Sequence, residues 1–235
     1  MFDIQTLGNI PESLKKIKNP PQELFFVGNK ELLNRKKIAI IGTRRPISYA
    51  KDMTLKISKR ISENGGVVVS GAAMGIDALA HIGAGENTIA VMANSLDIVY
   101  PKINKELIKN IYSKSLALSE YGSSYEARQY SFVLRNRIVV GLSDAVVITQ
   151  ADIDSGSMRS AEFALEFQKP IFVLPHRYNE SSGTNMLLKE KKAIAIYDID
   201  QFIIQLVIEI KREPNDVVIE YLKSNPDYND AVAKY

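Results

Sequence analysis

Two stretches decide the fold of this chain: KIAIIGTRRP at residues 37–46 and VVVSGAAMGID at residues 67–77. In each stretch an unbroken apolar run stops at a glycine, and small or polar residues then open a helical pattern. Such a junction lets a parallel α/β sheet place backbone N–H groups and a helix N-terminus around a phosphate. Arg44 and Arg45 follow the first glycine directly, and this concentration of guanidinium groups indicates a binder of polyanions.

The alternation of strand and helix patterns continues through most of the chain. Apolar runs predict strands at 37–41, 67–70, 88–93, 115–119, 145–150, 171–175 and 193–197. Helical periodicity predicts helices at 47–64, 76–85, 103–112, 132–143, 157–168, 184–190 and 200–212. This order predicts an α/β fold: an extended Rossmann-like, doubly wound, mainly parallel sheet with helices on both faces. Residues 1–36 are expected to pack on the core as an N-terminal segment, residues 37–212 to form the Rossmann-like domain, and residues 213–235 to form a C-terminal tail.

The composition narrows the possible functions. The chain has 235 residues, of which 46% are hydrophobic and 24% charged, as in ordinary soluble globular proteins. The absence of cysteine excludes disulfides, thiolate metal sites and cysteine nucleophiles, and it fits the cytoplasm, where we expect the protein. No apolar run approaches the ~20 residues of a membrane span, so no membrane partner is expected. The net charge is only +3, so any nucleic-acid site must be a local basic patch.

The two glycine turns provide the first candidate site residues. The guanidinium groups of Arg44 and Arg45 can form bidentate hydrogen bonds with a phosphate or stack on a base. A plain turn with exposed arginines is equally consistent with the pattern. Ser70, Gly71 and Gly75 would let the backbone approach a phosphate without a side-chain clash. No Lys-Ser/Thr pair follows the second glycine, so the stretch is not an ATP-hydrolysing P-loop.

Asp77 and His81 lie four residues apart on one face of the helix that follows. Two residues are too few for a metal site, so we interpret them as a helix-start carboxylate and a partly buried, hydrogen-bonded imidazole. The chain has only two histidines and no carboxylate cluster at metal-ligand spacing. We therefore expect no metal, no cofactor and no catalytic residue.

A later helix opens with aromatic and basic residues, in the stretch YSFVLRNRIVV at 130–140. Phe132 could stack on a base or pack in the core. Arg135 and Arg137 are two residues apart and leave the helix in different directions. One of them is expected to contact the ligand, and the other to pair with an interior carboxylate such as Glu120.

Two further polar turns are predicted at the same edge of the sheet. Ser155, Gly156 and Ser157 follow strand 145–150, and a last turn contains the stretch GTN at 183–185. Four turns rich in N–H groups at one sheet edge predict a shared groove more strongly than any single motif does.

In combination and in this order, several motifs resemble the DNA-processing protein A family (DprA, also called Smf), in its short ε-proteobacterial type. They are IGTRRPISYA, SGAAMGIDALAH, TIAVMANSLDIVYP, LSEY, FVLRNRIVVGLSDAVVI, SGSMRSAEFAL and GTN, and they span about residues 11–202. The resemblance implies an extended Rossmann fold that binds single-stranded DNA without marked sequence preference. It also implies a homodimer that helps to load the RecA recombinase on DNA entering during natural transformation.

By position, the resemblance implies DNA contacts at Arg44, Phe132 and the pair Arg135 and Arg137. The predicted DNA-binding set is Arg44, Arg45, Ser70, Gly71, Gly75, Arg128, Gln129, Phe132, Arg135, Asn136, Ser155, Gly156, Ser157 and Lys169. The chain departs from the family pattern at three places: Val133 replaces a frequent proline, Gln150 a glutamate, and His176 the glycine of a proline-glycine pair. These changes weaken any transfer of roles to positions 150 and 176.

The preferred function is a non-catalytic single-stranded DNA binder that protects incoming DNA and hands it to the recombinase. One alternative is a nucleoside-monophosphate glycosidase of the lysine-decarboxylase-like Rossmann group, whose P-G-G-x-G-T-x-x-E loop is partly matched by SGSMRSAEF with Glu162. Another is a nucleotide-sensing module. The basic groove and the lack of a catalytic constellation favour the first.

The helix at 200–212 is the candidate for the dimer contact. Its apolar stripe of Phe202, Ile203, Leu206, Val207 and Ile210 is broad enough to pack on the sheet. Ile204 and Ile208 widen the apolar surface beyond what one contact uses, which is typical of a partner site. Alternatively, the tail at 217–235 covers the extra apolar surface of Ile204 and Ile208.

Overall fold

The computed structural model describes residues 2–207, and within them the strands form one nine-stranded sheet. The sheet has the spatial order β1-β2-β6-β5-β4-β3-β7-β8-β9. The strands are β1 (Gln5–Thr6), β2 (Phe25–Gly28), β3 (Lys37–Ile41), β4 (Val67–Ser70), β5 (Thr88–Val91), β6 (Leu116–Ser119), β7 (Ala145–Ile148), β8 (Ile171–Val173) and β9 (Ile194–Ala195). Strands β3 to β9 pair in parallel, and β1 and β2 pair antiparallel at one edge. The Rossmann-like, mainly parallel fold predicted from the sequence is confirmed.

Helices connect the parallel strands. They are α1 (Glu12–Lys15), α2 (Ser48–Glu63), α3 (Ile76–Ala84), α4 (Lys105–Lys114), α5 (Gln129–Leu142), α6 (Gly156–Glu166), α7 (Ser182–Lys189) and α8 (Ile199–Val207). Short 3-10 turns cover Lys30–Asn34 and Lys102–Asn104. The predicted bounds differ most at α5, which begins three residues earlier than the predicted 132. There the Arg128 N–H donates to Ser131 Oγ at 2.8 Å, and the Ser131 N–H donates to the Arg128 carbonyl at 3.0 Å. This polar cap carries no apolar signal.

Alternate residues of β3 face opposite sides of the sheet, and helices cover both sides. Ile38 and Ile40 pack in a cluster with residues of α2, α3 and α8. Ala39 and Ile41 pack in a second cluster with residues of α1, α5 and α6. The central strands are buried on both faces, which explains their continuous apolar runs.

The order of the sheet reverses beside β3. The chain passes from β3 outward through β4, β5 and β6, and then returns along α5 to β7 on the other side of β3. A crevice forms outside the carboxyl ends of the strands at such a switch point, where ligands bind in doubly wound folds. The turns that follow β3, β4 and β7 are the turns that the sequence singled out.

The N-terminal segment contributes two strands that the sequence analysis did not predict. Phe25 of β2 pairs with Ser119 of β6, and Leu14 and Leu24 are fully buried. The sheet therefore continues across the predicted boundary between residues 36 and 37. The apolar run at 24–27 is short, and its pairing with β6 on one side and β1 on the other makes it a strand.

The predicted stripe of α8 is buried where the structure describes it. Phe202, Ile203 and Leu206 pack in the cluster formed with α2, and the ring of Phe202 meets Phe172 edge-to-face at 5.0 Å. Ile204 remains 38% exposed. Ile208, Ile210 and the predicted tail at 213–235 lie outside the described residues.

Candidate functional site

A groove of about 680 Å³ lies at the carboxyl edge of the sheet, beside the switch point. Eight residues of the predicted set line it: Arg44, Gln129, Phe132, Arg135, Asn136, Ser155, Gly156 and Ser157. They come from the turn after β3, the first half of α5 and the start of α6. Three segments distant in sequence thus converge on one concave surface, as the shared-groove prediction requires.

Arg44 and Phe132 form the rim of the groove. The guanidinium carbon of Arg44 lies 5.6 Å from the centre of the Phe132 ring, within cation–π range. The Tyr100 ring lies on the other flank of Phe132, with centroids 6.1 Å apart and a tilt of 47°. Arg44 is exposed and Phe132 is partly buried, so a charge and two aromatic faces meet at the surface.

The turn that carries Arg44 is held by backbone hydrogen bonds. The Thr43 N–H donates to the Gln150 carbonyl at 2.8 Å, and the Thr43 carbonyl accepts from the Ile76 N–H at 3.2 Å. Gly75 adopts a φ of +79°, and a Cβ there would overlap the backbone of Thr43 and Arg44. Gly75 therefore lets two turns pack together, and its contribution to the groove is indirect.

Arg135 lies in the floor of the groove. It is 4% exposed, and its Nη1 donates to the carbonyl oxygens of Gly71 at 2.5 Å and Val91 at 2.7 Å. A Cβ on Gly71 would overlap this guanidinium. Gly71 is thus required by Arg135, whereas the sequence analysis assigned it to the approach of a phosphate.

The side chains of Asp77 and His81 accept hydrogen bonds from the turn at Gly71 and Ala72. The Asp77 carboxylate accepts from the Gly71 N–H at 3.2 Å, and His81 Nε2 accepts from the Ala72 N–H at 3.2 Å. The Thr88 hydroxyl donates to the Val68 carbonyl, so His81 Nδ1–H donates to Thr88 Oγ1 at 2.6 Å. The interpretation of these residues as a helix-start carboxylate and a hydrogen-bonded imidazole is confirmed, but His81, at 1% exposed, is fully buried and not partly buried as predicted.

Burial and charge shift the pKa values of His81 and Asp77. Burial, aided by the positive charge of Arg135, lowers the pKa of His81 to about 3. Burial raises the pKa of Asp77, while Arg135 and the hydrogen bonds from the turn act against the rise. His81 is therefore a neutral imidazole at physiological pH and accepts the Ala72 N–H with a lone pair.

Arg137 pairs with Glu120, as predicted for one of the two arginines. Its two terminal nitrogens donate to the Glu120 carboxylate at 2.9 and 2.6 Å, and its Nε donates to the Asn19 carbonyl at 2.8 Å. The pair joins α5 to the end of β6 and to the N-terminal segment. Arg137 is therefore engaged in the interior, away from the groove.

The start of α6 closes the far side of the groove. The Asn136 amide donates to the Gly156 carbonyl at 3.4 Å, and Ser157 faces the same cavity. The predicted fourth turn does not reach the groove. Gly183 is buried against Ala151, and its N–H donates to the Ala151 carbonyl at 2.8 Å.

Several residues of the predicted set lie elsewhere. The Ser70 hydroxyl is fully buried and donates to the Ile40 carbonyl at 2.7 Å. Arg45 and Arg128 are exposed but do not line the groove. Lys169 precedes β8 at the amino edge of the sheet, where it lines a surface depression with Lys16 and Lys18. The structure therefore places Lys169 at the edge opposite the groove, because parallel strands point all their amino ends the same way.

Gln150 and His176 take structural roles beside the groove. Gln150 Oε1 accepts from the Ile47 N–H at 2.9 Å, and its Nε2 donates to the Glu180 carbonyl at 3.3 Å. His176 Nε2 donates to the Thr149 carbonyl at 2.7 Å. Gln150 thus fixes the chain where α2 begins.

No motif of the sequence indicated Tyr100, Met74 or Asn94, which line a small pocket that adjoins the groove at Phe132. Tyr100 and Asn94 follow β5, whose carboxyl end lies at the same edge of the sheet as those of β3, β4 and β7. The carboxyl-edge rule could have identified this segment, although it contains no glycine turn.

Residues 2–207 contain neither a metal-ligand cluster nor a membrane-spanning helix. None of their His, Asp and Glu side chains gather in a group of three or more that could hold a metal ion. None of their helices is long and apolar enough to cross a bilayer.

Comparisons with known proteins give one consistent relationship. The sequence profile of a family described as DNA recombination-mediator protein A matches residues 4–207. The chain is 35% identical over 201 residues to the DNA processing protein DprA of Bacillus subtilis, over 83% of this chain and 68% of that protein. It is 37% identical over 185 residues to DprA of Streptococcus pneumoniae, over 77% of this chain and 65% of that protein. The chain thus spans about two thirds of the length of each.

Two solved structures superpose on this fold. DNA processing protein A of Helicobacter pylori, described for its single-stranded DNA binding mode, has a TM-score of 0.87 and 45% identity, over 88% of this chain and 97% of that one. DprA of Streptococcus pneumoniae has a TM-score of 0.81 and 33% identity, over 87% of this chain and 74% of that one.

Proposed function

Because the chain belongs to the DNA recombination-mediator protein A family, we propose that its carboxyl-edge groove binds single-stranded DNA. The observation that carries this proposal is the guanidinium of Arg44 over the ring of Phe132, at the rim of a groove of about 680 Å³. A positive charge for the phosphates beside aromatic faces for the bases is the combination that single-strand binders use. The binding described for the Helicobacter pylori relative supports the same ligand class.

The polar lining of the groove suits a phosphate backbone. Asn136 and Ser157 offer amide and hydroxyl groups, and α6 begins at Gly156 with its N-terminus in the groove. Helix N-termini and backbone N–H groups favour anions. Since these contacts are to phosphates, affinity should depend strongly on salt and weakly on sequence.

We propose that the protein acts without catalysis, as a homodimer that protects incoming DNA and helps to load the RecA recombinase during natural transformation. Family membership and the resemblance of the motifs support these roles.

The glycosidase alternative gains no support, because Glu162 is exposed, pairs with Arg159 at 2.9 Å and lines a separate cavity between α6 and α7. Turnover of a nucleoside monophosphate that disappeared in Glu162→Ala would contradict a non-catalytic role.

Competition between strands tests the ligand class. A labelled thymidine oligomer bound to the protein is displaced with unlabelled single strand or with duplex of equal length at the same salt concentration. Single strand should compete more strongly, because a duplex hides the base faces that Phe132 would contact. Equal competition by both forms would refute the proposal.

A further inference from the structure

A further pocket lies at the carboxyl edge of the sheet, where α2 begins. It has a volume of about 510 Å³, and its walls come from the start of α2 and from the loop after β8. Five of its lining residues are polar or aromatic: Ser48, Tyr49, His176, Arg177 and Glu180. None of these five lines the groove, so this cavity, the α2 pocket, is a separate site at the same edge of the sheet.

The turn after β3 connects the groove with the α2 pocket. Arg44 lines the groove, and Ser48, four residues further along the chain, lines the pocket. Four residue steps span at most about 14 Å. A stacked single strand, at about 3.4 Å per nucleotide, covers this distance in about four nucleotides. One strand can therefore occupy the groove and the α2 pocket together.

Tyr49 gives the α2 pocket an aromatic wall. Its ring meets the His176 ring edge-to-face, with centroids 5.4 Å apart and an interplanar angle of 81°. His176 is itself held in place, because its Nε2 donates to the Thr149 carbonyl at 2.7 Å. Tyr49 nevertheless remains 42% exposed. A tyrosine ring that is supported by the protein and open to solvent can stack a base of any kind, because every base has a π-face.

The charged groups of the α2 pocket match the edge of a base better than they match a phosphate. The Glu180 carboxylate accepts the Arg177 backbone N–H at 3.4 Å, and its other lone pairs can accept from the N–H groups of a base. The negative charge of Glu180 also repels a phosphate. The Arg177 side chain is exposed and can donate to the acceptor atoms of a base. The pocket thus combines a stacking surface with both donors and acceptors.

We propose that the α2 pocket binds a base of the single strand after the strand has left the groove. The base stacks on Tyr49, and its polar edge points toward Glu180 and Arg177. This proposal rests on the function proposed above and adds to it the route of the strand, which crosses the turn after β3 toward α2. The binding site for DNA is therefore longer than the groove alone.

Strands of two lengths test the proposal with one variant. Tetrathymidylate occupies the groove, and dodecathymidylate reaches the α2 pocket as well. Tyr49→Ala should weaken the binding of dodecathymidylate at least about fivefold, the least that one stacked base contributes. The same variant should bind tetrathymidylate as the unaltered protein does. Tyr49 is exposed near the start of α2, and alanine is the best helix former, so the variant should fold normally.

Two further variants serve as controls. Tyr49→Phe keeps the aromatic ring and should bind both strands as the unaltered protein does. Tyr197→Ala removes an 85% exposed tyrosine that lines neither the groove nor the α2 pocket. It should leave the affinities for both strands unchanged, and a loss as large as that of Tyr49→Ala would overturn the assignment of the pocket.

A partly abasic strand tests whether the α2 pocket binds a base. In this strand four thymidines are followed by eight abasic sites, so its length and charge equal those of dodecathymidylate. The base that would stack on Tyr49 is absent, and Tyr49→Ala should therefore not weaken the binding of this strand. The loss in Tyr49→Ala should appear only when the whole strand carries bases, as in a double-mutant cycle.

The outcomes separate the α2 pocket from the groove. Equal affinities of Tyr49→Ala and the unaltered protein for dodecathymidylate would overturn the pocket and leave the proposed function standing. An equal loss for both strand lengths, or for the abasic strand, would show that Tyr49 supports the groove or a phosphate, and this result would also overturn the pocket. Failure of the unaltered protein to bind dodecathymidylate would overturn the proposed function itself, and the pocket with it.

Discussion

At the scale of single residues, Arg44 is the side chain on which the groove depends most. It is exposed, lies over Phe132 and lines the groove. Arg44→Ala should weaken binding to every sequence alike and reduce the slope of log affinity against log salt by about 0.7, the value for one phosphate contact on a single strand. Titrations at several salt concentrations measure this slope.

Arg45→Ala is the matched control, because Arg45 is exposed and adjacent but does not line the groove. Arg45→Ala should reduce the slope of log affinity against log salt less than Arg44→Ala does. A loss in Arg44→Ala confined to particular sequences, with an unchanged slope, would show that Arg44 reads a base.

His81 should make the stability of the protein depend on pH. Its pKa falls from an ordinary 6.5 to about 3 in the folded protein. Between these values the unfolded chain binds a proton that the folded protein does not, so the free energy of unfolding falls as the pH drops. At its steepest the fall is about 1.4 kcal/mol per pH unit.

Denaturation by urea at pH 7 and at successively lower pH compares the protein with His81→Gln. The glutamine oxygen can accept the Ala72 N–H in place of Nε2, and it does not titrate. Asp77 is present in both proteins, so its raised pKa contributes to both curves. The variant should lose less stability on acidification, and parallel curves would show that His81 is not the group responsible.

At the scale of elements, one ion pair holds α5 against β6. The side chains of Arg137 and Glu120 are only 8% and 15% exposed. Glu120→Ala would leave a buried guanidinium without its carboxylate, so the free energy of unfolding should fall by about 3–5 kcal/mol. The exposed pair Arg159 and Glu162, at 63% and 60%, is the control, and Glu162→Ala should cost no more than about 1 kcal/mol. If urea denaturation shows equal losses of unfolding free energy in Glu120→Ala and Glu162→Ala, the Arg137–Glu120 pair does not hold α5 against β6.

The same elements show where sequence patterns stop being informative. The spacing of Arg135 and Arg137 predicts that their side chains diverge, and the pairing of Arg137 with Glu120 was among the expectations. The pattern did not show that Arg135 would be buried and donate to Gly71 and Val91, which lie 64 and 44 residues away along the chain. Its burial results from the packing of α5 across the ends of β4 and β5.

At the scale of the whole molecule, the proposed homodimer concerns the outer face of α8. Ile204 is 38% exposed, while its neighbours Phe202 and Ile203 are buried against the core. Ile204→Glu should therefore leave the fold intact and weaken the dimer, measured by sedimentation at micromolar protein. Ile103→Glu, at a 75% exposed isoleucine on another surface, is the control and should sediment as the unaltered protein does. A monomeric unaltered protein, or a dimeric Ile204→Glu, would exclude α8 as the contact.

The sequence by itself determined the order of strands and helices from β3 onward and the position of the polar turns after β3, β4 and β7 at the carboxyl edge. These features are local: the apolar run of β3 and the glycine after it lie within ten residues of one another. The prediction that Arg44, Phe132, Asn136 and Ser157 share a groove follows from the rule that parallel strands end at one edge, and the structure brings them together.

Only the tertiary structure decided which of the candidate residues face the groove. Lys169 lies at the opposite edge, Ser70 is buried, and Tyr100 lies beside Phe132 although no motif indicated it. The pairing of β2 with β6 likewise joins residues about ninety positions apart. The physical reason is that burial and hydrogen-bond partners are set by segments distant in sequence, whereas periodicity and turn chemistry act over a few residues.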